Sequence, residues 1–304
     1  MGHDHKGLSE LVAQVEEQLI EVPSYTEEEK FQILKRHLLP KQAEEHGLKP
    51  GTVRINDAAM KRMIEDYTRE AGVRTLERTA AKCCRKAAVY LLENGKKYVT
   101  VNEKRLREFL GAPRYTREAL EKEPRVGVVN GLAWTSVGGE TLEVECSVMP
   151  GKGNLKLTGQ LGDVMRESAE AAFSWVRAHS AELGLEEDFY TKSDIHIHIP
   201  EGAVPKDGPS AGVTMTTALV SALTGRKARQ DAAMTGEMTL RGRVLPIGGL
   251  KEKTLAAYRA GVKTLIIPKE NHKDLEDIPA YVLSCFRIVE AEEIGQVLKE
   301  ALVK

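Results

Sequence analysis

The stretch PEGAVPKDGPSAGVTM, from Pro200 to Met215, sets one serine, Ser210, among glycines, prolines and alanines, just after a lysine and an aspartate. A hydroxyl in this setting is either a helix N-cap following a turn or a nucleophile. GPSAG matches G-x-S-x-G, a short pattern that occurs where a serine sits on a strand-to-helix elbow. An elbow enzyme needs an acid and then a histidine further along the chain, and the only histidine after Ser210 is His272, within KENHKDLED. A triad through His272 would make the protein an esterase.

A serine can instead be activated by a lysine whose amine is neutral. Burial favours the neutral form, and lowering a lysine pKa by two units costs about 2.7 kcal/mol. The fold must supply that energy, so the lysine belongs at an element boundary among small and apolar residues. LPIGGLKEKTLAAYRAG carries two candidates, Lys251 and Lys253. At the start of a helix they point roughly 200° apart, so one at most faces inward. Lys253 shares a face with Leu250 and Ala257, whereas Lys251 shares one with Leu255 and Arg259. A face ending in arginine suits solvent, so periodicity prefers Lys253, although both could be surface lysines.

Other chemistries find little support. There is no G-x-x-x-x-G-K-[ST] phosphate loop and no H-E-x-x-H, and PGKGN reads as a turn. His196 and His198 lie two apart on a strand and share a face, but no third metal ligand is apparent. No metal is expected. Cys83, Cys84, Cys146 and Cys285 form no C-x-x-C and read as reduced, mostly buried thiols.

The chain has 304 residues, enough for two domains. With 44 Lys plus Arg against 45 Asp plus Glu, the formal charge is −1, which gives no global reason for a nucleic acid or acidic membrane partner. No apolar run approaches a membrane span and no secretory signal opens the chain, so a cytoplasmic location is expected. MGHDHK resembles an expression remnant, and residues 1–19 are read as a leader.

The elements that must position the chemistry fall in two groups. Residues 20–116 read as a small helical bundle with one short strand, KYVTVN. Thr26 caps a first helix with three glutamates in its first turn and Gly47 at its end, and Asn56 or Asp57 caps a second that runs to Gly72. A third covers RTLERTAAKCCRKAAVYLLENG. The polar segment PRYTREALEKEP marks the boundary. Residues 117–304 then alternate strands and helices, including a long helix from DVMRES and an apolar one starting at Ser210. The fold class expected is α+β (mixed): a small helical subdomain followed by a mixed α/β domain.

The residues now in hand resemble a family. PKDGPSAG at 205–212, MTGEMTLRGRVLPIGGLKEK at 234–253 and LTGQLGDVMRESA at 157–169 are similar to the proteolytic domain of the bacterial-type Lon proteases, ATP-dependent Ser–Lys enzymes. GVVNGLAWTSVGGE and IIPKENHKDLEDIP extend the likeness. YTEEEKFQILKRHLLPKQ and YTREAGVRTLER resemble the small helical (lid-type) subdomain of the AAA+ ATPase, so the resemblance covers about residues 20–304.

The resemblance implies Ser210 as nucleophile, Lys253 as general base, and Thr235 as the group orienting the lysine. It implies a gating role for Asp207, which in inactive forms can engage the lysine. His196, His198 and Glu237 are near-site candidates, with packing as the alternative. Arg74 matches the arginine that senses nucleotide in this ATPase class. Without the larger ATPase subdomain the chain looks like a truncation, needing no cofactor for peptide hydrolysis, whereas ATP and Mg serve the full-length protein. The implied function is endopeptidase cleavage of unfolded or damaged proteins in quality control and stress response, by a homo-oligomer forming a hexameric ring. Basic clusters such as KCCRK and ENGKK leave a weak DNA contact open.

Overall fold

The computed structural model describes residues 25–115, 123–135, 138–200 and 206–303. The leader at 1–19 and the boundary at 116–117 lie outside them.

Helix α1 (Glu27–Ile33) opens with a reciprocal cap, because Glu29 N donates to the Thr26 hydroxyl and Thr26 N to the Glu29 carboxylate. It continues through a π-turn (Leu34–Leu38) into α2 (Leu39–Glu45). Pro40 lacks an N–H and its ring crowds the turn before it, and the wider π-turn relieves both. Strand β1 (Val53–Ile55) leads to α3 (Asp57–Tyr67), capped by the Asn56 side chain at Ala59 N. Helix α4 (Arg74–Glu93), strand β2 (Val99–Val101) and α5 (Glu103–Leu110) complete the first unit.

Two sequence expectations change here. β1 is a second strand, pairing parallel with β2, and three residues are too few for alternation to reveal it. α3 stops at Tyr67 rather than near Gly72, because Thr68 is extended and turns its hydroxyl back onto Ile64 O. Phe31, Met63, Leu76, Cys83 and Leu106 fill the core between these helices.

The second unit is built on a mixed seven-stranded sheet. Its elements are β3 (Arg125–Val126), β4 (Val128–Thr135), β5 (Gly138–Pro150), β6 (Leu155–Thr158), α6 (Asp163–Ala178), α7 (Phe189–Lys192), β7 (Ser193–His198), α8 (Gly212–Thr224), β8 (Lys227–Ala228), β9 (Ala232–Met234), β10 (Glu237–Met238), β11 (Val244–Leu245), α9 (Leu250–Ala260), β12 (Thr264–Pro268), α10 (Ala280–Leu283), β13 (Arg287–Ala291) and α11 (Ile294–Ala301). The sheet order is β13-β12-β9-β4-β5-β7-β6, with β4–β5 and β5–β7 antiparallel and the remaining neighbours parallel. β10 and β11 form an antiparallel hairpin.

Alternation along the strands builds two cores, one per face. Val129, Val144, Ile197 and Met234 pack with α6, α8 and α11. Leu132, Ala233 and Leu265 pack with α9 and α10 on the other face. α8 is buried from Gly212 to Ser221, with Thr214, Thr216 and Thr217 inside the core. β9 lies between β4 and β12, parallel to both, so its carboxyl end opens where the two layers of helices meet.

Candidate active site

Three loops converge at the carboxyl end of β9. The first carries Ser210, in a single 3₁₀ turn (Pro209–Ala211) that runs directly into α8. Gly208 enters that turn at φ +135°, a region open to glycine and strained for any other residue. Ser210 is half-buried. Its backbone carbonyl accepts from Gly236 N at 2.9 Å and from the Thr235 hydroxyl at 3.3 Å. The serine turn is thereby fixed to the residues that follow β9.

The second loop is Thr235–Gly236, where Thr235 N also donates to Ile266 O of β12. Gly236 is small because a Cβ there would meet Val213 and Val244 side chains at 3.0 Å.

The third element is the start of α9, on the opposite face of the sheet from α8. Lys253 is 2% exposed, beside buried Leu250, Thr254 and Ala257. Its Nζ donates to Thr235 Oγ1 at 3.2 Å. Burial lowers the Lys253 pKa to about 8, and no carboxylate opposes the shift. Lys251 is half-buried and Arg259 exposed, in keeping with the face argument. The Thr235 hydroxyl thus donates to the Ser210 carbonyl and accepts from the Lys253 amine, linking serine turn and lysine through one side chain.

Asn271 is a supporting residue that the sequence reading missed. Its side chain is 2% exposed and bonds Ile247 N and Ile247 O at 3.0 and 2.8 Å, holding the loop that launches α9. Within the charged run KENHKDLED nothing distinguished it from solvated neighbours.

The other expected residues are placed elsewhere. The Asp207 carboxylate accepts from Met165 N at 3.1 Å and Gly208 N at 3.0 Å, so it caps α6 rather than engaging Lys253. An anion over the free N–H groups of a first helical turn is well placed there. His196 and His198 both hydrogen-bond the Thr158 hydroxyl, at 2.8 and 2.7 Å, on β7, three strands from β9. Burial, with Lys156 nearby, holds the His196 ring below its usual value. Among the described residues no cluster of three metal-ligating side chains exists. Glu237 is half-buried on the β10 hairpin, and no contact joins it to Lys253. His272 pairs with Glu290 of β13, which raises its pKa, and among the described residues no hydrogen bond joins it to Ser210, as an esterase triad would need.

Arg74 is exposed at the start of α4. The Glu70 carboxylate already occupies that helix terminus, accepting from Thr75 N at 2.8 Å and Leu76 N at 2.7 Å. An anion at this position disfavours phosphate, and one guanidinium does not hold a nucleotide. The residues present do not fit ATP. Lys82 and Arg85 of the KCCRK run turn to Leu110 O and His46, and the two cysteines between them are buried. Cys285 is the exposed thiol. Among the described residues no helix is long and apolar enough to cross a membrane.

Comparison with known proteins identifies both units. Residues 100–304 match the Lon protease (S16) C-terminal proteolytic domain, and residues 44–102 the Lon protease AAA+ ATPase lid domain. Lon protease 1 of Bacillus subtilis (strain 168) is 58% identical over 286 residues, which is 94% of this chain and 37% of that protein. Lon protease of Brevibacillus choshinensis is 55% identical over 287 residues, covering 94% and 37%. Lon protease 1 of Myxococcus xanthus is 55% identical over 286 residues, covering 94% and 35%. The chain spans a little over a third of the length of these relatives.

Proposed function

Because the chain belongs to the Lon (S16) protease family, we propose that Ser210 and Lys253 form the dyad of an endopeptidase acting on unfolded or damaged proteins. The observation that carries this reading is the buried Lys253 amine, its pKa lowered to about 8, held by Thr235 against the Ser210 turn. A neutral amine can accept the serine proton near neutral pH.

In this mechanism Ser210 Oγ attacks the scissile carbonyl carbon while Lys253 Nζ takes its proton. The N–H groups of Ser210 and Ala211 in the tight turn stabilise the tetrahedral oxyanion. As the oxyanion collapses to a carbonyl, the bond between that carbon and the amide nitrogen breaks, and Lys253 gives its proton to the leaving amine. Water then attacks the acyl carbon while Lys253 takes its proton; the acyl–Oγ bond breaks, Lys253 returns that proton to Ser210 Oγ, and the acid leaves, restoring the free serine and neutral lysine. No step uses a metal or a nucleotide.

The reading extends to a homo-oligomeric ring of six in the cytoplasm, which sedimentation and fractionation test. A DNA contact finds less support, since two of the basic side chains are engaged within the helical unit. The test of the chemistry is cleavage of reduced casein without ATP by the parent, Ser210→Ala, Lys251→Ala and Lys253→Ala. A general base contributes about 10²–10⁴ in rate, so Lys253→Ala should lose at least a hundredfold while Lys251→Ala stays near parental. Equal activity of the two lysine variants would refute the assignment of the base.

A further inference from the structure

The lysine helix is held by more than its own core. The first turn of β5 lies directly on the backbone of α9. A Cβ built at Gly139 would meet Glu252 O at 2.0 Å and Lys253 N at 2.9 Å. Only a glycine lets the strand approach so closely. Arg259, further along α9, donates to Gly139 O at 2.8 Å, which ties the strand to the same helix a second time. The position of the Gly138–Glu140 backbone and that of the Lys253 backbone are therefore coupled.

The next residue of that strand, Glu140, reaches the helical unit. Its carboxylate is 10% exposed and meets Arg69 Nη2 at 3.0 Å. Arg69 directly follows the Thr68 stop of α3. Around this pair the two units are not tightly packed: a cavity of about 380 Å³ opens between them, with Glu65, Arg69, Glu140, Glu252 and Arg259 on its wall. A sheltered carboxylate beside an open cavity depends on a cationic partner such as Arg69 for charge balance.

We propose that Arg69 and Glu140 are positioning residues for Lys253, forming the link through which the helical unit sets the placement of the lysine amine. The proposal rests on Lys253 being the general base. With the pair intact, β5 is pressed onto α9, and the amine stays in its dry pocket against Thr235. With the pair broken, β5 can lift from α9. Water then reaches the amine, and its neutral fraction falls. Movement of the helical unit would act on the protease through the same contact.

The test measures the amine and the turnover separately. Lysine labelled with ¹³C at Cε is titrated by NMR in the full chain, the Lys253 signal being the one absent from Lys253→Met. Casein cleavage gives kcat and KM for the same samples. In Arg69→Gln and in Glu140→Gln, Lys253 should titrate about one unit higher, which cuts its neutral fraction at neutral pH about tenfold. The kcat should fall by about the same factor with KM within about twofold, because substrate contacts are untouched. The exchanged pair Arg69→Glu with Glu140→Arg should restore the parental titration. A parental titration and kcat in Arg69→Gln, whose side chain is half exposed and whose loss should leave the fold intact, would overturn the proposal. So would an exchanged pair as impaired as the single variants. Equal casein cleavage by the parent and Lys253→Met would instead remove the general base on which the proposal rests.

Discussion

Replacing Lys253 by methionine should stabilise the protein at neutral pH while abolishing its proposed chemistry. The lysine pKa falls from 10.5 to about 8 on folding, because burial disfavours the charged ammonium. Between those values the unfolded chain binds more protons than the native one, so native stability rises with pH across that window. Below about pH 8 the native state carries the whole penalty, which at pH 7 amounts to roughly 3 kcal/mol. Methionine has a similar length and no charge, so it removes that penalty and fills most of the space. It also removes the hydrogen bond to Thr235, worth about 1 kcal/mol, but the Thr235 hydroxyl keeps its bond to Ser210 O. The net gain at pH 7 is then about 2 kcal/mol. It should shrink to about 1 kcal/mol near pH 9 and reverse to a loss of about 1 kcal/mol above pH 10.5. Urea denaturation of parent and variant at these pH values measures the difference directly. A variant less stable than the parent by the same amount at every pH would show that the lysine carries no desolvation penalty, and the argument for its activation would fail.

Peptide cleavage by the parent should climb with pH and level off above an apparent pKa of about 8, as the Lys253 amine loses its proton; a flat profile from pH 6 to 9 would contradict this. Thr235→Val keeps the shape of the side chain but removes its hydroxyl, and should lower kcat by about tenfold, with stability reduced by about 1–2 kcal/mol in urea melts. Asp207→Ala removes the cap on α6 and should cost about 1 kcal/mol; if the dominant role of Asp207 were to hold Lys253 inactive, the variant would cleave casein faster than the parent. Gly208→Ala forces a side chain to φ +135° and should cost 1–3 kcal/mol or displace the serine turn, seen as a lower Tm together with slower labelling of Ser210 by a fluorophosphonate.

Those residues also mark how far the chemistry could be read along the chain. Helical periodicity preferred Lys253 over Lys251 as the inward-facing lysine while leaving both open as surface residues, and the burial is as that preference has it, because the lysine and the apolar residues beside it sit on one short helix. The burial of α8 was legible for the same reason, since its apolar run lies in a single segment. Roles set by distant partners were not legible. The serine loop contains an aspartate three residues before Ser210, and its carboxylate accepts from Met165 N, 42 residues away, a partner that no local spacing announces. β2 was legible in KYVTVN, whereas β1 is a three-residue segment that only its parallel ladder with β2 reveals. Gly139 is a further case: its lack of a side chain reads as a turn signal in VGGE, yet what requires it is the carbonyl of Glu252 on another element. The proposed catalytic residues of this chain are therefore marked by local motif, whereas their proposed tuning lies in contacts between elements. Substitutions that leave every motif residue in place, at Arg69 or Glu140, are where the rate should prove adjustable without loss of the dyad.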